Sequence, residues 1–187
     1  MNNFFLATNE SITNELGITV KQITVKDLGT WFQYAEPIRL ELKKDYSNEN
    51  LEKVFNLHKM PSLFLCKMTT DKTNEELISL VSDDFANIIT LLKSIIEVNI
   101  KYFDQEDAKK SRSTAKSESS WFDSFQLLID SGHNHNDVMN MSYGAFIMYT
   151  KAASRKANTD LTRLANAMRM AQHANNSDYE KFIKKLE

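Results

Sequence analysis

The sequence predicts a mostly α-helical protein, built from two helical modules joined by a polar linker. Only 4 glycines and 2 prolines occur among its 187 residues. An all-β chain of this length would need many tight turns, which use Gly and Pro, so the scarcity favours a few long elements. Hydrophobic residues make up 42% of the chain, which is enough to build a core. The third observation is the helical spacing of apolar residues, strongest after residue 82.

The first 25 residues are the part least suited to helices. Residues 4–8, followed by 9–10 and 11–13, predict a short hairpin around an Asn turn. Residues 18–25 are rich in β-branched side chains, which favours an extended segment. Because a lone hairpin is only marginally stable in water, an ordered extended arm without a sheet is the alternative.

A first long helix is predicted to begin at Thr24 or at Lys26–Asp27. Its broad apolar stripe includes Trp31 and Phe32. Pro37 lies inside this pattern and is expected to kink or split the helix, because proline lacks a backbone N–H and clashes with the preceding turn.

Two shorter helices are predicted next. Asn50 is expected to cap the first, which continues to His58. Pro61 starts the second segment, whose apolar run over residues 62–70 is interpreted as a buried helix rather than a strand because of its helical neighbours. The run contains Cys66, the one cysteine of the chain. A buried thiol without an internal partner predicts a reducing compartment, and hence a cytoplasmic protein.

The strongest helical signal covers residues 82–103. Ser82, Asp83 and Asp84 are predicted to form its N-terminal cap. The apolar residues that repeat at helical spacing are Phe85, Ile88, Ile89, Leu92, Ile95, Ile96 and Phe103. Asn99 lies on the same apolar face, where a polar side chain needs a partner, so we expect it to set the helix register or to bind a loop.

A change of composition divides the chain. Residues 104–120 contain Ser and charged residues but no large apolar side chain, and such a segment cannot bury enough surface to offset its ordering entropy. We therefore predict a flexible linker over 104–120, between an N-terminal helical module at 1–103 and a C-terminal helical module at 121–187.

The C-terminal module is predicted to open with a helix that Ser119 or Ser120 caps and that carries Trp121 and Phe125, with Gly132 as its C-cap. The remaining caps are expected at Asn134 for a single turn, at Ser142 for the longest helix and at Ser177–Asp178 for the last. The longest helix is predicted to run from Tyr143 to about residue 174. The residues predicted to face inward on it are Phe146, Ile147, Ala153, Ala157, Leu161, Leu164 and Met168.

No residue pattern predicts catalysis or a cofactor. The potential metal ligands His133, His135 and Asp137 crowd into one turn, but a zinc site needs three or four ligands and no second pair occurs at suitable spacing. Capping of the turn explains them more simply. A small hydrolase or metal enzyme using these three residues remains a separate hypothesis, and we predict no catalytic residue, cofactor or metal.

Charge and hydropathy limit the partners. The formal net charge is −2, whereas a dedicated nucleic-acid binder usually shows a basic excess. The helix at 143–174 is locally basic, however, so a small helical nucleic-acid-binding regulator using its basic face is the alternative function. The N-terminus lacks the basic region of a signal peptide, and no apolar run reaches the ~18 residues of a membrane span, so we expect no membrane association.

Both halves of the chain carry short patterns that resemble tail assembly chaperones of long-tailed bacteriophages. The patterns lie at residues 23–28, 35–38, 96–103, 128–133, 138, 141–146 and 164–169. The third ends a long apolar helix with Glu97-Val98-Asn99 and two aromatic residues, and a helical unit followed by a polar linker and an extension is similar to the long form of that family.

The resemblance implies a non-enzymatic protein of the host cytoplasm. The N-terminal unit would coat the tape measure protein, the extension would recruit tail tube subunits, and the chaperone would self-associate. In that family the long form commonly arises by ribosomal frameshifting. Eight residues are predicted to be either client-binding or structural: Trp31, Phe32, Asn99, Phe103, Trp121, Phe125, Tyr143 and Phe146.

Overall fold

A computed structural model describes residues 3–105, 121–173 and 175–184. The described residues are mostly α-helical, which confirms the predicted fold class. Residues 106–120, which carry most of the predicted linker and the caps expected at Ser119 or Ser120, lie outside the described residues.

The N-terminus differs from its prediction. A short helix α1, Asn3–Ala7, stands where a hairpin over residues 4–13 was expected. The antiparallel pair lies later, with β1 at Ile12–Thr13 and β2 at Thr19–Val20. Burial of Leu6, only 1% exposed, explains the helix, because its side chain packs against Gly144 in the C-terminal part of the chain and local β preference does not account for that contact.

Helix α2, Leu28–Leu42, follows a single 3-10 turn at Val25–Asp27. The helix runs through Pro37 without interruption, so the expectation of a split is wrong. Trp31, Ala35 and Ile38 on its inner face are fully buried, and their burial outweighs a proline cost of about 3 kcal/mol.

Three helices follow: α3, Asn48–Leu57; α4, Lys59–Thr69; and α5, Asn74–Asp83. The helical interpretation of the run after Pro61 is confirmed. The prediction that Asn50 caps α3 is wrong, because the Ser47 side chain accepts a hydrogen bond from the backbone N–H of Asn50. The Asn50 side chain instead donates to the carbonyls of Leu42 and Asp45.

Helix α6, Phe85–Val98, is the centre of the core, and α7, Ile100–Phe103, continues it after a break at Asn99. Asp84 caps α6 by accepting from the N–H of Ala86 at 2.9 Å, whereas Ser82 and Asp83 belong to the end of α5. The fully or almost fully buried side chains of α6 include Ile88, Ile89, Leu91, Leu92, Ile95, Ile96 and Val98.

The C-terminal helices are α8, Trp121–Asp130; α9, His135–Asn140; α10, Tyr143–His173; and α11, Asn176–Ile183. The predicted caps at Asn134 and Ser142 are confirmed by hydrogen bonds from the backbone N–H groups of Asp137 and Ala145. The cap of α11 is Asn175 rather than Ser177–Asp178, since its side chain accepts from the N–H of Asp178.

The start of α10 packs on the N-terminal part of the chain. The N–H of Tyr143 donates to the carbonyl of Ile23 at 2.8 Å, and the N–H of Val25 donates to Met141 at 2.9 Å. A small second core then forms from Val25, Leu128, Val138 and Phe146. The segment before α2 therefore belongs to both packing units.

Candidate protein-binding surfaces

Five of the eight predicted site residues lie in the interior. Trp31, Phe103, Tyr143 and Phe146 are buried, and so is the amide of Asn99. Trp31 packs edge-to-face with Tyr102 and Phe103, at ring-centroid distances of 6.1 and 6.3 Å. In the described part of the chain these side chains form core contacts, which is the structural reading that the sequence left open.

Asn99 joins three segments. Its Oδ1 accepts a hydrogen bond from the N–H of Ile23 at 2.8 Å, and its Nδ2 donates to the carbonyl of Ile95 at 3.0 Å. Ile23 in turn accepts from Tyr143 of α10. The amide thus bonds a loop, as the sequence predicted, and it does so at the break between α6 and α7.

A polar cluster joins α2 to α7. The guanidinium of Arg39 donates to both carboxylate oxygens of Glu36, at 2.7 and 2.9 Å, and the hydroxyl of Tyr102 donates to Glu36 at 2.8 Å. The hydrogen bonds from Arg39 hold the pKa of Glu36 below its usual value. Burial raises the pKa of Tyr102, and the hydrogen bond to Glu36 raises it further. These shifts keep the Glu36 carboxylate ionised and the Tyr102 hydroxyl protonated, which suits a structural role.

The other three predicted residues line a surface hollow between α2 and α8. Phe32 is half-buried, Trp121 is 45% exposed, and Phe125 packs against the buried ring of Phe146 at 5.5 Å. Val25, Leu28 and Gly29 complete the lining, and the hollow has a volume of about 280 Å³. The sequence does not predict that residues near 30 and near 121 line one hollow, because they are far apart in the chain.

A second apolar surface lies between α4 and α5. This groove, which we call the α4–α5 groove, has a volume of about 170 Å³ and is lined by Met60, Leu63, Phe64, Lys67, Asn74, Leu77 and Ile78. Met60 and Ile78 are 62% and 57% exposed. The sequence analysis missed α5 and therefore the groove. The signal was present as a capping box, since Thr73 and Glu76 bond each other's backbone N–H groups.

The second half of α10 leaves the core. Leu161, Leu164 and Met168 were predicted to face inward, but they are 65%, 58% and 58% exposed. Ala157 is exposed as well, so the prediction holds for Phe146 and fails beyond Ala153. The physical reason is that α8, which covers the first half of α10, is only 10 residues long whereas α10 has 31.

The two candidate reactive groups of the sequence, the turn at residues 133–137 and Cys66, have structural roles in the described ranges. Asn134 and Asp137 bond each other as a helix cap, and within those ranges no three His, Cys, Asp or Glu side chains gather to hold a metal ion. Burial raises the pKa of the Cys66 thiol to about 12, which keeps it protonated and unreactive. None of the described helices combines the length and apolar character needed to cross a bilayer.

Comparison with protein-family models, with curated proteins and with solved structures gives no match to this chain. The surfaces described above are therefore interpreted from their own geometry.

Proposed function

We propose that this protein is a non-enzymatic tail assembly chaperone of a long-tailed bacteriophage, which binds the tape measure protein in the host cytoplasm and helps to recruit tail tube subunits. The observation that carries the proposal is the α4–α5 groove, an open apolar surface on the N-terminal part of the chain. The resemblance of the sequence patterns to that family supplies the identity of the client.

The size of the groove favours a protein client. Pockets for small organic ligands usually span about 300–1,000 Å³, whereas this groove has about 170 Å³. That space suits one or two apolar side chains of a helix laid across α4 and α5. Recognition of an amphipathic helix through spaced apolar anchors needs no detailed sequence readout, and Met60 adds an adaptable thioether surface.

The lining of the groove is almost free of charge. Lys67 is the one ionisable residue among the lining residues, so the lining itself imposes little charge selection on a client. A chaperone that covers successive segments of a long protein benefits from this tolerance, because each segment presents a different polar face. Self-association of the chaperone along the client is part of the same proposal.

The test is co-expression of the chain with the tape measure protein of the same phage, which the proposal requires as client. The soluble fraction of the tape measure protein should rise, and the two proteins should co-purify. Ile78→Asp and Met60→Asp place a charge in the groove and should abolish both effects, while Phe4→Asp, at a side chain that is 71% exposed on α1, is the matched control. Unchanged solubility together with no co-purification would disprove the proposal, and so would full activity of both groove variants.

A further inference from the structure

Residues 140–144, which we call the junction segment, attach the C-terminal helices to the N-terminal part of the chain. The segment lies antiparallel to residues 23–25, with a bridge between Thr24 and Ser142 and two backbone hydrogen bonds of 2.8 and 2.9 Å. The C-terminal part thus adds a short strand to an N-terminal edge, as extended peptides do when they bind through their backbone.

Side-chain hydrogen bonds add to this bridge. Asn9 donates to the carbonyl of Asn140 at 2.9 Å and accepts from the N–H of Ser142 at 2.6 Å. Lys26 donates to the Asn140 side chain at 3.0 Å, and the buried Ser142 hydroxyl donates to the carbonyl of Leu6 at 3.0 Å. Asn9, Lys26 and Asn140 are exposed, so water competes for their bonds and each bond contributes little alone.

Few apolar side chains cross the junction. Among the described residues, the large N-terminal core has one buried member from the C-terminal helices, Tyr143, and the small second core has one from the N-terminal part, Val25. Ile147 packs at the edge of both cores, and Leu6 lies against Gly144. Two parts of a chain that meet through a small and polar interface are expected to move relative to each other.

The docking position of the junction segment is held in place by the N-terminal part itself. Asn99 accepts from the N–H of Ile23 at 2.8 Å, and the Gln22 side chain donates to the carbonyls of Phe5 and Glu10 at 3.0 and 3.1 Å. None of these bonds involves a residue of the C-terminal helices. Residues 23–25 and α1 therefore keep their supports when the junction segment leaves.

Docking of the junction segment decides which surfaces the protein presents. The hollow between α2 and α8 has one wall from each part of the chain, so it exists only in the docked state. In the undocked state that hollow is lost, and the backbone edge of residues 23–25 is uncovered together with Leu6. The α4–α5 groove is lined by residues 60–78 alone and is the same in both states.

We propose that the junction segment is a latch, which undocks from residues 23–25 in a cooperative transition that leaves the N-terminal core folded. The docked state presents the hollow, and the undocked state presents an unpaired strand edge. This device goes beyond the proposed chaperone function and is independent of it, because the α4–α5 groove lies entirely within the N-terminal part.

The test is hydrogen exchange of the full chain, measured at single amides by NMR. The amides of Val25, Ser142 and Tyr143 donate across the junction. They should share one protection factor, at least about 100-fold below that of the buried amides of α6. The amide of Ile23 donates to Asn99 within the N-terminal part, so it is the internal control and should keep the protection of α6.

Two variants loosen the latch in different ways. Asn9→Gly removes both side-chain bonds, and glycine tolerates the φ of 53° at this position. Gly144→Ala places a Cβ 2.7 Å from the Leu6 side chain, while alanine favours α10 itself. Each variant should speed exchange of the three junction amides at least about tenfold and leave Ile23 and α6 unchanged. Asn158→Ala, at an exposed position away from the junction, should change none of these rates.

Four results would overturn the inference. Equal protection of the junction amides and α6 would mean that the two parts unfold only together. Unrelated protection factors among the three junction amides would mean local fraying instead of undocking. Acceleration of α6 by the same factor as the junction would mean that the variants destabilise the whole fold. The fourth result is unchanged exchange in both variants, which would mean that these contacts do not hold the junction.

Discussion

Replacement of Asn99 by alanine tests the interpretation that one buried amide joins the break between α6 and α7 to the segment before α2. In Asn99→Ala the N–H of Ile23, whose residue is 3% exposed, loses its acceptor at 2.8 Å. An unsatisfied buried donor costs about 1–3 kcal/mol. The carbonyl of Ile95 loses less, because it still accepts from the backbone N–H of residue 99 at 3.1 Å. We expect a total loss of about 2–3 kcal/mol in the free energy of unfolding.

The assay is thermal and urea unfolding followed by circular dichroism. For a chain of this size the loss corresponds to a fall in Tm of roughly 4–12 °C. Asn158→Ala, at an exposed position of α10, is the control and should stay within about 0.5 kcal/mol of the wild type. A loss below about 0.5 kcal/mol in Asn99→Ala would refute the reasoning, because it would mean that water satisfies Ile23.

The variant Asn99→Asp gives an independent check of burial. Aspartate keeps the acceptor for Ile23 but brings a carboxylate into a buried position, which raises its pKa in the folded state. A raised folded-state pKa means that the destabilisation is largest above that pKa and disappears as the pH falls below the unfolded value of about 3.9. The stability gap to the wild type should therefore narrow on acidification. A gap independent of pH would contradict the burial of this site.

Three further predictions concern polar groups in the core or at its edge. The Ser62 hydroxyl is fully buried and has no hydrogen-bond partner among the described residues, so Ser62→Ala should raise the unfolding free energy by about 1 kcal/mol in urea titration, and a decrease would contradict this. Cys66 should not react with Ellman's reagent in the native protein, because the thiol is buried with a pKa of about 12; reaction at the rate of the unfolded chain would oppose that view. Glu36→Gln should cost about 1 kcal/mol at neutral pH. Since hydrogen bonds from Arg39 lower the folded-state pKa of Glu36, its contribution is present above the unfolded value of about 4.3 and is lost as the pH falls through the folded value, so the gap to Glu36→Gln in unfolding curves should close in acid.

Local signals predicted most of the helices. The apolar spacing of α6 and the caps at Asn134 and Ser142 depend on interactions within a few residues, and the structure confirms them. The burial of Cys66 follows from the apolar run around it. The bond from Asn99 to a loop follows because a buried polar group needs a partner.

The errors arose where distant residues decide the outcome. The aromatic run at the N-terminus reads as a strand, yet Leu6 packs against Gly144 and the run becomes helical. Pro37 predicts a kink or a split, yet α2 continues through it because the buried stripe stabilises the helix. The groove was missed because α5 went unpredicted.

The long helix α10 shows what the sequence determined and what the tertiary structure added. Its sequence by itself determined a helix with one apolar stripe from Phe146 to Met168, since helical periodicity depends only on the order of residues. Only the tertiary structure decided which part of that stripe is core and which is surface. Burial requires a neighbour, and α8 covers the first half of α10 but is too short to reach Leu161, Leu164 and Met168.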